Sequence, residues 1–336
     1  MRIMPEKLVE LEQVKKYFPL NDFKLGRAIS KYLHAVDNVS FHINKGEIFG
    51  IVGESGSGKS TIGRCILNLH STNEGKIYFK GTQINNLNNK ELKPYRKSMQ
   101  MIFQNPYSSF NPHKSIGKLF IELGKVNGML LLEAKSRAED LLEYVNLPKD
   151  IMVRRSKELS GGQLQRLAIA RSLMLQPEFI VADEPVSALD VSVQAQILNL
   201  LLELRDKLNL TIMFISHDLT VVENICDRVA VFYLGIIVEL ADTKTLFSNP
   251  LHPYTKALLS AKPKEHPDEI TDRIILKGDI PNAIDVEDGC RFADRCPRYK
   301  YKSFKCDNTT PELLEVEDGH YVACHYPFQI DNKINY

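Results

Sequence analysis

The chain has no tryptophan among its 336 residues, and no apolar run long enough to cross a bilayer. Its longest such stretch, around Val229 to Val238, falls far short of the roughly 20 residues that a spanning helix needs. An excess of one charge is also missing: 43 Lys and Arg face 42 Asp and Glu, for a net charge of +1. That balance provides no bulk electrostatic drive towards nucleic acid, and none is expected as a partner. The opening Met1-Arg2-Ile3-Met4-Pro5-Glu6-Lys7 lacks the apolar core of a secretory signal. A cytosolic chain is therefore expected, attached to any membrane only through a partner. No internal repeat and no low-complexity block is visible.

The length allows more than one domain, at about 100–200 residues each. Leu8 to Val14 alternates apolar and polar residues like a half-exposed strand. A loop is expected over roughly Leu20 to His34, then a strand at Ala35 to Ile43. Ile48-Phe49-Gly50-Ile51-Val52 is a short continuous apolar run, the pattern of a strand buried on both faces. From Asn86 to about Lys157 the pattern becomes helical, with Ala134, Ala138, Leu141, Leu142 and Val145 on one face. Beyond it lie strand Phe179 to Ala182, helix Val193 to Leu208, strand Thr211 to Ile215 and helix Leu219 to Cys226. Repeated strand-then-helix order predicts an α/β fold with a mostly parallel sheet. After Phe247 the text turns rich in Pro and His, as linkers do, and a smaller cysteine-bearing element follows.

Residues Gly53-Glu54-Ser55-Gly56-Ser57-Gly58-Lys59-Ser60-Thr61 follow the apolar run Ile48 to Val52 and lead into a helix. Glycines at this spacing let the backbone curl so that successive N–H groups converge on phosphate oxygens. Lys59 supplies positive charge, and Ser60 a hydroxyl for Mg²⁺. Phe179 to Ala182 ends in Asp183-Glu184: Asp183 is a candidate for holding Mg²⁺ through water, Glu184 for polarising an attacking water. An isolated acidic pair could equally be a strand ending in turn residues; the upstream cradle favours the catalytic reading. Gln104 follows the strand-like Met99 to Phe103 and precedes the Asn105-Pro106 turn, where a neutral amide can touch metal or water. His217 follows the strand Thr211 to Ile215, at the sheet edge where ligands of open α/β sheets bind. Leu159-Ser160-Gly161-Gly162-Gln163 places Ser160 as the N-cap of the next helix.

In this order, with Ser187-Ala188-Leu189-Asp190 before His217, these motifs resemble a complete ATP-binding cassette (ABC) transporter ATPase subunit. Gln104 to Pro112, Glu184 to Ser192, Asn249 to Thr255 and Gly289 to Pro297 are similar to the ATPase subunits of oligopeptide and dipeptide importers. The resemblance implies a P-loop NTPase (RecA-like) parallel-sheet core with antiparallel β elements, a helical subdomain and a small C-terminal extension. The core would be 1–90 and 165–248, the helical signature subdomain 91–164, and the extension 249–336. It also implies roles. Phe18, with Tyr17 the neighbouring candidate, would stack on adenine; Gly53 to Thr61 would hold the triphosphate; Ser60, Gln104 and Asp183 would surround Mg²⁺. Glu184 would be the general base and His217 a clamp on the γ-phosphate. Ser160 to Gln163 would close onto ATP held by a second cassette, usually a different chain. Two permease subunits and an extracellular substrate-binding protein would complete an importer, with this chain on the cytoplasmic face of the membrane.

Of six cysteines, Cys65 and Cys226 lie singly in apolar contexts and read as buried small hydrophobes. Cys290, Cys296, Cys306 and Cys324 cluster near the C-terminus. In a reducing compartment such a cluster suits a metal better than disulfides. Its gaps match neither a zinc ribbon nor a bacterial ferredoxin, leaving an iron–sulfur cluster, zinc (with His320 or His325 as rival ligands) and free thiols open. Similar tails in the importer family imply a [4Fe–4S] cluster.

Overall fold

The structure, a computed structural model, describes residues 6–24, 27–262, 273–278, 281, 283–284, 286, 288–299 and 304–328. In chain order the strands are β1 (Lys7–Lys24), β2 (Arg27–Asn44), β3 (Ile48–Val52), β4 (Glu74–Phe79), β5 (Thr82–Gln83) and β6 (Met99–Ile102). They continue with β7 (Phe179–Asp183), β8 (Thr211–Ile215), β9 (Arg228–Tyr233), β10 (Ile236–Asp242), β11 (Leu314–Glu317) and β12 (His320–Val322). The chain divides into two compact units. The first holds the residues up to Leu8 with Ile43–Ile48 and Asn86–Ile215; the second holds Val9–His42, Phe49–Asn85 and the described residues from Ser216 on.

In the first unit β6, β7 and β8 form a parallel ladder with β7 central: Met99 lies opposite Phe179, and Phe179 opposite Thr211. Every residue of β7 and β8 is buried, which is why both read as unbroken apolar runs. Helix Leu131–Tyr144 buries Ala134, Ala138, Leu141 and Leu142, the stripe expected from the sequence. Helix Gly161–Leu173 buries Leu164, Leu167, Ala168 and Leu173. Helix Val191–Leu208 stops at Asn209, whose left-handed φ of 50° closes it in a conformation asparagine tolerates.

In the second unit β2, β1, β4 and β5 lie side by side in that order, with β1 antiparallel to β4 and Val9 opposite Phe79. Val9, Leu11, Val14, Ile77 and Phe79 line its core. The loop expected over Leu20 to His34 is a correction: strand backbone continues to Lys24 and resumes at Arg27. Mixed polarity hides any alternation in this stretch, so its strand character is not visible in the sequence. A second set of strands runs β11, β12, β10, β9, β3, with β9 parallel to β3 and antiparallel to β10. The apolar stretch from Val229 to Val238 is thus a buried hairpin.

The C-terminal extension is stitched onto β10 through a buried carboxylate. Glu239, fully buried, accepts the N–H groups of Leu251 (2.7 Å) and His252 (2.9 Å), and its Oε1 lies 2.8 Å from His320 Nε2 on β12. Buried carboxylates are tolerated only when bonded this fully. His252 caps helix Pro253–Ser260, its Nδ1 accepting from the Tyr254 N–H at 3.1 Å. Burial pulls the His252 pKa down to about 3. The unfolded imidazole titrates near 6.5, so over that window the unfolded chain binds the extra proton. His252 therefore contributes stability in full above about pH 6.5 and loses it as the pH falls towards 3. His252→Asn keeps a cap acceptor without titrating, and should show a shallower fall of Tm between pH 7 and 5. Parallel curves for the two proteins would contradict this.

Candidate functional site

In the second unit β3 delivers the chain into the phosphate-loop motif. A Cβ on Gly53 would stand 2.2 Å from the Phe232 carbonyl, and one on Gly58 2.1 Å from the Ala35 carbonyl. Gly58 also holds φ at +103°, a backbone closed to other residues, at the N-cap of helix Lys59–Ile66. Between them the loop is knit by Ser57 N–H on Glu54 O (3.2 Å) and Gly235 N–H on Ser57 O (2.9 Å). Lys59, 5% exposed, donates its Nζ to the carbonyls of Gly53 and Glu54, both at 2.8 Å. The ammonium is thus strapped inside the curl. Ser55 and Gly56 at the crest are exposed, while Ser60 and Thr61 are half-buried on the first helical turn.

The aromatic candidates lie in the same unit. Tyr17 stacks on His34 with ring centroids 4.1 Å apart and donates its hydroxyl to Asp37. Phe18 is half-buried, meets His70 edge-on at 5.5 Å, and has the Lys16 ammonium 4.9 Å from its ring centre. Burial alone would raise the Asp37 pKa, but the Tyr17 hydroxyl and the Arg291 guanidinium outweigh it and hold the carboxyl below its usual range. His217 stands exposed just past β8, where the Ser216 N–H bonds the Ile51 carbonyl at 3.1 Å.

The first unit holds the carboxylates and the Leu-Ser-Gly-Gly-Gln motif. Asp183 ends β7 and is 3% exposed. Glu184, the next residue, has a left-handed φ of 46°, uncommon for a residue with a side chain. Its N–H bonds the Ile215 carbonyl (3.0 Å) and its Oε2 accepts the Gln104 Nε2 (2.8 Å). A strained backbone at a strand tip, held by neighbours on both sides, is the kind of outlier that accompanies function. Ser160 caps helix Gly161–Leu173: its hydroxyl accepts from the Gln163 N–H (3.3 Å) and its own N–H donates to Gln163 Oε1 (3.0 Å). This reciprocal box leaves Ser160 exposed at the positive end of the helix. Within this unit Gln104 and Glu184 are brought together; Lys59 is gathered with Gly53 and Glu54 in the other.

Cys65 and Cys226 are buried, and burial pushes the Cys65 thiol up to about 12 and Cys226 well above its ordinary value. Both pack as small apolar side chains. Burial also pushes Cys290 up to about 11 and Cys324 up to about 12; each is raised further by the charges of neighbouring thiols, Cys306 and Cys296 among them. Among the described residues, however, no group of three or more His, Cys, Asp or Glu is arranged to hold a metal ion. The rival zinc ligands are each engaged through one ring nitrogen: His320 Nε2 with Glu239 and His325 Nε2 with the Thr309 carbonyl, 2.8 Å each. Among the described residues no helix is long and apolar enough to cross a membrane.

Comparison with known proteins now defines the class. Residues 36–187 match the ABC transporter family. The ATP-binding cassette MJ0796, solved as a dimer in a post-hydrolysis state with ADP and Pi, is 29% identical with a TM-score of 0.62, covering 70% of this chain and 99% of that one. CbiO1 of Clostridium perfringens, part of the ABC transporter complex cbiONQ, is 26% identical with a TM-score of 0.62, over 73% of this chain and 92% of that one. The fold is that of an ABC ATPase. Residues 238–302 match the oligopeptide/dipeptide transporter C-terminal region. A putative peptide import ATP-binding protein of Brucella ovis is 51% identical over 88% of this chain and 92% of its own length. The oligopeptide transport ATP-binding protein AppF of Bacillus subtilis is 47% identical over 95% and 97%, and the dipeptide transport ATP-binding protein DppF of Haemophilus influenzae 45% over 95% of each. The chain belongs to the ATP-binding subunits of the oligopeptide/dipeptide ABC transporters.

Two residues that touch the phosphate loop escaped the sequence reading. Tyr254 accepts the Glu54 N–H at its hydroxyl (2.9 Å), and Arg295 forms a two-pronged pair with the Glu54 carboxylate. Tyr254 lies in a stretch that carried the family resemblance, but nothing local in sequence indicated its partner.

Proposed function

We propose that the chain couples ATP hydrolysis to the uptake of oligopeptides or dipeptides, as one of two cassettes on the cytoplasmic side of two permease subunits supplied by an external binding protein. The observation that carries this reading is the Gln104 amide on the Glu184 carboxylate, 2.8 Å away at the strained tip of β7. A carboxylate so placed can take a proton from water while the neighbouring amide orients it. The phosphate loop fits a triphosphate: Gly53 and Gly58 sit where a Cβ would strike a backbone carbonyl, and Lys59 spans two loop carbonyls that phosphate oxygens could replace. Ser60, Gln104 and Asp183 are the candidates that would hold Mg²⁺, which would supply charge neutralisation on the phosphates. Phe18 or Tyr17 would take the adenine and His217 the γ-phosphate. Ser160, Gly161, Gly162 and Gln163 face the nucleotide of the opposing cassette, a helix N-terminus being suited to an anion. Hydrolysis then releases the two cassettes, and the helical segment after Gln104 passes that motion to the permeases.

We also assign Cys290, Cys296, Cys306 and Cys324 to a [4Fe–4S] cluster. Beyond burial, the charges of Cys296 and Cys306 raise the pKa of both Cys290 and Cys324, which supports placing the four thiols in one neighbourhood. When bound, the cluster would act as a staple for a small extension with little core of its own.

The test is coexpression with a pair of candidate peptide-permease subunits. A complex that survives detergent extraction, and whose ATPase is stimulated by peptide-loaded binding protein in vesicles, is the expected result. A chain that never associates with the permeases would contradict it.

A further inference from the structure

We propose that Arg295 is a positioning residue for the phosphate loop, and that through it the four-thiol segment sets how tightly the loop at Lys59 holds nucleotide. The proposal rests on the reading of Gly53 to Thr61 as the triphosphate site. Glu54, the second residue of that loop, is tied by each of its polar groups. Its carboxylate takes the Arg295 fork, NH1 to Oε2 at 2.6 Å and NH2 to Oε1 at 3.0 Å. Its N–H donates to the Tyr254 hydroxyl at 2.9 Å, and its carbonyl accepts Lys59 Nζ at 2.8 Å. Arg295, with 8% of its side chain exposed, therefore reaches the ammonium of the loop through one intervening residue.

The segment that presents Arg295 is itself knit together. Cys290 O accepts the Ala293 N–H (2.9 Å) and Ala293 O the Cys296 N–H (3.1 Å), closing a tight turn between two of the thiols. Phe292, 1% exposed, plugs this turn between Tyr233 and Tyr254, its ring 5.3 and 5.4 Å from theirs. Arg291, the next donor in the turn, bonds Asp37, which in turn holds Tyr17. One short segment thus grips the unit at the phosphate loop and again beside the aromatic candidates.

The chemistry gives the sign. A bidentate guanidinium both fixes Glu54 and neutralises it. Without that partner a loose carboxylate faces the incoming triphosphate, so affinity should fall while the water-activating group is untouched. Arg295→Met is expected to raise KM for ATP about ten-fold with kcat within about two-fold. Arg295→Lys keeps the charge but not the fork and should recover part of the loss. Glu54→Gln combined with Arg295→Met leaves no unpaired charge and should recover most of it. Coupling is reciprocal, so ATP should slow amide exchange across residues 290–296 in the wild type and not in Arg295→Met.

The experiment is steady-state ATPase, nucleotide titration and hydrogen exchange on the full chain, with Lys59→Ala alongside. A KM rise without a kcat loss, recovered by the double variant, supports the proposal. If Lys59→Ala loses nucleotide while Arg295→Met keeps its wild-type KM, this proposal alone is overturned. If Lys59→Ala also binds normally, the loop reading falls and this proposal with it. A joint collapse of Tm, kcat and KM that neither Arg295→Lys nor the double variant recovers makes Arg295 a mere structural staple and overturns the proposal as well.

Discussion

Glu184→Gln is expected to bind ATP as the wild type does and to hydrolyse it at least about 10²-fold more slowly. The substitution keeps side-chain length and shape and removes only the ability to take a proton. The backbone that strains this residue is fixed by the N–H bond to Ile215 O at 3.0 Å, not by the carboxylate. The Gln104 amide, 2.8 Å from Oε2, can still donate to an amide oxygen in the same place. Folding should therefore be unchanged, and the loss should fall on kcat. Undiminished turnover would refute Glu184 as the base.

Lys59→Ala should act on the other half of the cycle. It deletes both bonds to the Gly53 and Glu54 carbonyls and the one cation strapped inside the loop curl. One charge-assisted hydrogen bond from the Lys59 ammonium to a phosphate oxygen would contribute about 1.5–3 kcal/mol, so ATP affinity is expected to drop by about 10- to 100-fold. Fluorescent-nucleotide titration reads this directly, and unchanged affinity would count against the cradle. The contrast between the two variants, one losing turnover and the other binding, separates the roles assigned to strand tip and loop.

The apolar runs of β3, β7 and β8 were legible in the sequence because strands buried on both faces leave no polar position to confuse the pattern. Ser160 was legible as a cap because its partner Gln163 lies three residues on. The strand backbone up to Lys24 and from Arg27 on was missed, since a local sequence of mixed polarity shows no alternation. Nor could the left-handed turn at Glu184 be read, because no glycine or asparagine marks it. The Arg295–Glu54 pair joins residues 241 positions apart, a separation at which only the folded chain brings them together. The four thiols were visible as a cluster, but the engagement of His320 by buried Glu239 was not.

The central claim is that one nucleotide is gripped by the loop at Lys59 and sealed by Ser160 of a second cassette. It is tested most directly by the mass of Glu184→Gln with ATP, measured by light scattering, alone and mixed with a second peptide-importer cassette. The account predicts a paired species holding two nucleotides, which dissociates when ATP is replaced by ADP. Nucleotide-loaded chains that remain single in both preparations would contradict it.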